Sequence, residues 1–303
     1  MKSRKISVLI VTLIYLGIST FLAYKIYFNS SEFKKFKTDN AKILDGETRI
    51  TDWKEWLNIS DLWDSKTEKS ENAIDHAEMH YENAVSYSFL LIYTSIAFLI
   101  IVFFLFRNTT YLFQFLSFAL IIIAFILLVI GITVPMLEIG AFKDALTIPL
   151  KGTIPIIGQE FDLSKEFDGR LYFYYQNKSI LDVIGLLFAN GNALVGTCIL
   201  LFSIVSPLLK LFFSLFLVFN PNNKNKTVGF IVNNLGKWSM ADVFVVSIFL
   251  GYLSFQNMST GINTEANTLL GMYFFLAFVI VSIISSMLLK LAAKKQKETV
   301  IFG

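Results

Sequence analysis

Two ionisable side chains stand inside long apolar stretches of this chain: Lys210 in SIVSPLLKLFFS and Asp242 in LGKWSMADVFVVSIFLG. A charge placed at the centre of a bilayer costs roughly 2.5–3.5 kcal/mol even on the mild insertion scale. Residues that carry such a cost pair with each other, face water or bind something. Ser203, Ser206, Lys210 and Ser214 recur at three- and four-residue spacing, which puts them on one side of a helix. Pro207 removes a backbone donor beside them and frees a carbonyl. Counted from the end of the apolar run, Lys210 lies about 13 Å deep and Asp242 about 6 Å in from the same side. A lysine side chain spans that difference. The two charges can therefore share a polar pocket with Ser239, Ser282 and Ser285, and the chemistry on offer is a protonation or ligand-binding switch. Two simpler readings stay open: Lys210 reaching to headgroups, and Asp242 capping the start of its helix.

Other candidates are weaker. His76 and His80 sit four apart, a spacing that can share a metal, but HAEMH lacks the order of the metalloprotease signature. A solvated helix face is the reading preferred there. Cys198 is the only cysteine, so no intramolecular disulfide and no four-cysteine zinc site can form. No Gly-rich phosphate loop occurs. No nucleophile–base pair lies in the apolar runs, so an enzyme is not expected, nor a cofactor, nor nucleic-acid binding.

The elements that must hold Lys210 and Asp242 follow from hydropathy. The chain has 303 residues, 55% of them hydrophobic, with 31 phenylalanines, and its mean hydropathy is +0.61. Six apolar runs are long enough to span a bilayer as helices: 6–28, 87–106, 112–137, 193–219, 238–255 and 269–289. The first reads as an uncleaved signal anchor, because no small-residue cleavage site follows it. Lys2, Arg4, Lys5, Arg107, Lys224, Lys226, Lys237, Lys290, Lys294, Lys295 and Lys297 fall on one side if all six runs span. Both termini are then cytoplasmic.

Two longer segments, 29–86 and 138–190, lie outside on this topology. The first reads as a helical hairpin: Ala73, Ala77, Tyr81, Ala84 and Ser88 form a small-residue stripe facing an extension of the first helix through Glu32–Lys37. Trp53, Trp56 and Trp63 mark a bend, either packed as core or lying on the lipid surface. The second segment reads as a small β-sheet over about 145–175, then a short interfacial helix opened by Ser179 with Asp182 at its third position. The fold class expected is a mainly α membrane protein of six spans with an extracytoplasmic sheet and a projecting N-terminal helical hairpin. It divides into a two-span unit, 1–107, and a four-span unit, 108–303.

ITVPMLEI at 132–139, NGNALVGTCILLFSIVSPLLKL and LGKWSMADVFVVSIFLG together resemble the paraquat-inducible protein A family. The family includes inner-membrane partners of MCE-domain lipid transporters. The resemblance rests on Pro135 near the outer end of one span, on Pro207, Lys210 and Leu211, and on Trp238, Ser239, Met240, Asp242, Val243 and Phe244, and it covers roughly 112–290. It implies a four-span unit with a sheet between its first and second spans. It also implies a role in moving membrane lipids between the inner membrane and a periplasmic MCE-domain protein. The zinc ribbons of many relatives have no counterpart here, so no metal is implied. The competing functions are a non-transporting scaffold subunit and an ion-coupled small-solute transporter. Lipid identity, energy source and oligomeric state are not legible.

Overall fold

A computed structural model describes residues 2–56, 60–153, 160–219 and 262–302 of the chain. Five described helices are long and apolar enough to cross a membrane: Ile6–Ile43, Ser65–Phe106, Leu112–Thr133, Ala193–Phe219 and Leu270–Lys295. With a three-stranded antiparallel sheet, they make a helical membrane protein with a small β element. The expected span over 238–255 lies outside the described residues.

Helix α1, Lys2–Ile43, has 42 residues and α4, Ser60–Phe106, has 47. At 1.5 Å per residue they are about 63 and 70 Å long, roughly twice the ~30 Å hydrocarbon core. Neither contains proline, and α4 contains no glycine either. They pack against each other along their length. Ala73, Ala77, Ala84, Ser88 and Leu91 are buried at the seam. Tyr15 stacks on Phe98 at 4.4 Å and bonds Ser95 at 2.9 Å; higher up, Ser70 Oγ donates to Asn40 Oδ1 at 2.6 Å. The solvated face expected for the two histidines carries contacts as well: His76 is exposed and His80 half-buried. His76 and His80 both stack on Phe36, at 5.2 and 5.7 Å, and His80 Nδ1 lies 3.0 Å from Asn29 Oδ1.

Helix α5, Leu112–Thr133, ends four residues before the expected position. The Val134 N–H closes on the Ile130 carbonyl, and Pro135 cannot extend the ladder. Strand β1, Leu137–Thr153, follows at once and pairs with β2, Glu160–Lys178, from Leu137↔Lys178 onward. The sheet is therefore longer than the 145–175 read from its turn residues. A register shift at Asp144/Leu146, with Ala145 at φ 56°, kinks it. A third strand, β3, Asn263–Thr268, pairs with β1 on its other edge. NTEANT shows no apolar alternation, so tertiary pairing overrides propensity here.

The tip of the helical hairpin is clasped to β2. Tyr172 N–H donates to the Leu44 carbonyl at 2.9 Å. Between α1 and α4, the short helices α2, Gly46–Thr51, and α3, Trp53–Trp56, bring in a buried ion cluster. Arg49 and Glu55 pair at 3.0 Å with side-chain exposures of 2% and 6%, and Lys66 reaches Glu55 at 2.6 Å. Arg49 also donates to the Arg170 carbonyl. Trp56 packs edge-on against Phe167, so of the two readings of the bend Trp56 takes core packing, while Trp53 is exposed. Lower down, Ser179 and Asp182 form a reciprocal cap on α6, Ile180–Ala189, as expected from sequence. Asp182 carries a second load: Lys34 of α1 donates to it at 2.7 Å.

The last helix, α9, Leu270–Phe302, lies along α5. A Cβ on Gly131 would sit 2.9 Å from the Phe275 backbone, and one on Gly271 only 2.3 Å from the Val134 carbonyl oxygen. These two glycines set the contact distance between the helices.

Candidate functional site

The fourth span is built in two halves. Helix α7, Ala193–Leu200, leads through a single π-helical turn, Leu201–Val205, into α8, Ser206–Phe219. Pro207 offers no N–H, and its ring crowds the carbonyl one turn back. The widened turn relieves that crowding, and the Ser206 N–H reaches back five residues to Leu201.

The faces of α8 differ sharply. Ser203, Ser206, Lys210 and Ser214 are 1%, 9%, 6% and 3% exposed, whereas Phe212 and Phe219 are about two-thirds exposed on the other side. The polar stripe thus turns into protein and the aromatic face toward lipid. Lys210 is buried with the stripe rather than extended over the exposed face. Among the described residues no hydrogen bond or ion pair reaches its amine, and Ser206 Oγ is buried without a partner. In an apolar surrounding such groups cost free energy until something satisfies them.

Helix α5 is the neighbour of both α8 and α9. Gln114 Nε2 donates to the Val218 carbonyl, and Phe118 meets Phe219 edge-on. Across its other side, Ser117 Oγ donates to the Ser285 carbonyl at 2.9 Å and lies 3.2 Å from Ser285 Oγ. Ser285 is thus engaged with α5. Ser282, one turn before it, is 2% exposed and its hydroxyl has no described partner. The sequence reading missed Gln114 and Ser117. Their signal was present, since they are the only amide and hydroxyl in the first two turns of an otherwise apolar helix.

Ser239, Asp242 and Trp238 lie outside the described residues. Pro135 sits at the sheet-side end of α5, where its carbonyl accepts from the Gly271 N–H at 2.9 Å; it joins span to sheet. Among the described residues, no group of three His, Cys, Asp or Glu side chains could hold a metal ion. Cys198 is exposed on α7. The arrangement offers a buried primary amine on one helical face with Ser206 and Ser214, one turn to either side, within a span interrupted by a π-helical turn before a proline. It can bind an acidic group or exchange a proton.

Residues 170–293 match the family model described as paraquat-inducible protein A. The matched segment runs from the second half of β2 to α9. It contains Pro207, Lys210, Trp238, Ser239, Asp242, Ser282 and Ser285, but it starts after Pro135. Nothing among curated proteins matches the chain, and no solved structure does.

Proposed function

From the premise that this membrane protein carries the paraquat-inducible protein A pattern over residues 170–293, we propose that it assists lipid movement between the inner membrane and a periplasmic MCE-domain partner. In this reading both termini are cytoplasmic and the sheet faces the periplasm, in keeping with the lysines and arginines at the other helix ends. The observation that carries the proposal is the buried stripe of Ser203, Ser206, Lys210 and Ser214 on the protein-facing side of a proline-bent span. A purely structural helix has no use for an amine so buried. Asp242, about one turn into its run, supplies the counter-charge in this reading, and Ser239 and Ser282 the neighbouring hydroxyls.

The test is transfer of a fluorescent phospholipid out of proteoliposomes. Lys210→Ala and Asp242→Asn should each lower the rate about tenfold or more, which is about 1.4 kcal/mol of barrier. Full transfer by both variants at normal expression would remove the switch.

The clasped hairpin favours a second reading, a scaffold that docks an extracytoplasmic protein without moving lipid itself. Tolerance of both substitutions, with loss of function on deleting residues 30–85, would select it.

A further inference from the structure

The end of the bundle opposite the sheet carries a charge pattern separate from the stripe on α8. Helix α9 starts beside Val134 and Pro135 at the base of the sheet. From Leu270 it needs about 20 residues to cross the ~30 Å hydrocarbon core, so it leaves that core near Lys290. The chain stays helical well past this point, to Phe302. The overrun holds Lys290, Lys294, Lys295 and Lys297, and the first three are exposed.

Ring contacts fix where the overrun sits. Lys295 Nζ lies 5.4 Å from the centre of the Phe113 ring, in the first turn of α5. Phe115, in the same turn, stacks on Phe106 at 3.9 Å. Arg107 follows Phe106 directly and is exposed, with its guanidinium 5.5 Å from the centre of the Phe104 ring. Cations from two distant parts of the chain thus border one turn of α5.

These elements carry almost no opposing charge. Residues 2–31, 83–137 and 270–297 contain no Asp or Glu, and Glu298 is the one carboxylate at this end among the described residues. The start of α1 runs level with the end of α4 and adds Lys2, Arg4 and Lys5. At the sheet end, by contrast, lysine meets carboxylate, as Lys34 does Asp182. Like charges gathered at a low-dielectric surface repel unless an anion sits among them. Leu291, between the lysines, is 49% exposed and Phe104 is 59% exposed. Such side chains belong against acyl chains, so the fitting anion is one that brings acyl chains with it.

We propose that Lys290, Lys294 and Lys295 of α9, with Arg107, bind the phosphate groups of anionic phospholipids in the leaflet opposite the sheet. The surface holds its lipid whether or not the protein moves lipid, so it does not depend on the Lys210 reading.

Native mass spectrometry of the full-length protein in detergent, with lipids of matched acyl chains added, tests this. Phosphatidylglycerol should be retained about tenfold better than phosphatidylethanolamine. Combining Arg107→Gln, Lys290→Gln and Lys294→Gln, all at exposed positions, should bring the two lipids within about twofold. Lys290→Arg with Lys294→Arg keeps the charges and should keep the preference. Lys143→Gln, in the sheet, should leave it unchanged. Glycerophosphoglycerol has the headgroup without the acyl chains and should compete poorly. Equal retention of the two lipids by the unmodified protein would overturn the proposal. So would an undiminished preference in the triple variant, or its loss in the double arginine variant. A matching loss in Lys143→Gln would overturn it too, because net charge alone would then be at work. Competition by glycerophosphoglycerol at matched concentration would overturn the leaflet assignment in favour of a soluble anion.

Discussion

The clasp at the hairpin tip and the stripe on α8 both bury charge, and they treat it in opposite ways. At the clasp, Arg49 and Lys66 both pair with Glu55, and Arg49 is tied to a backbone carbonyl of β2. In the spans, Lys210 is buried on α8, and the buried hydroxyls of Ser206 on α8 and Ser282 on α9 have no partner among the described residues. Paired burial fixes one geometry. Idle polar groups in an apolar medium leave the energy surface poised for a partner that comes and goes. In the function proposed above, the paired cluster holds shape and the stripe is the part that acts.

Four substitutions can break or sharpen that contrast. Glu55→Ala takes the carboxylate from a fully buried guanidinium. It should cost about 3–5 kcal/mol, read as lost hydrogen-exchange protection over 44–56 and 165–173. Gly271→Ala forces a methyl against the Val134 carbonyl, where no flexible side chain can yield. About 1–3 kcal/mol or more should be lost, visible as a lower unfolding temperature in detergent.

Smaller again is the Lys34–Asp182 tie. Burial alone would raise the Asp182 pKa, but the Lys34 ammonium and the bonds from Ser179 outweigh it and hold the carboxyl below the usual aspartate range. A depressed pKa means stability that is complete above the unfolded value of about 3.9 and lost as pH falls through the folded one. Exchange protection at 179–186 should drop below about pH 4, and Asp182→Asn should be pH-independent there. Smallest in stability is Lys210→Met. Similar volume and no charge to satisfy should leave the unfolding temperature level or higher, while lipid transfer falls. A large loss of stability would place Lys210 with the clasp instead.

What was legible in the sequence followed local physics. The spans come from uninterrupted apolar runs, the hairpin from its alanine stripe, and the α6 cap from Ser179 and Asp182 three residues apart. What was not legible arises between distant residues. β3 is polar throughout and becomes a strand only because the free edge of β1 is beside it. The π turn before Pro207 is one of several ways a helix accommodates proline, and residue type does not choose among them. Lys34 meets Asp182 across 148 positions, a pairing no spacing rule could suggest. Ser117 was passed over because a lone serine in an apolar run usually bonds its own helix; here it crosses to α9.

Helices of 42 and 47 residues in one hairpin also work as a ruler. Their tip stands some 30 Å or more above the bilayer, and the bond to β2 keeps them from tilting freely. A protein docked on that tip, as in the scaffold reading, would be kept at a fixed stand-off from the lipid surface. Trimming seven residues from each helix would lower that height by about 10 Å without disturbing a single contact inside the membrane.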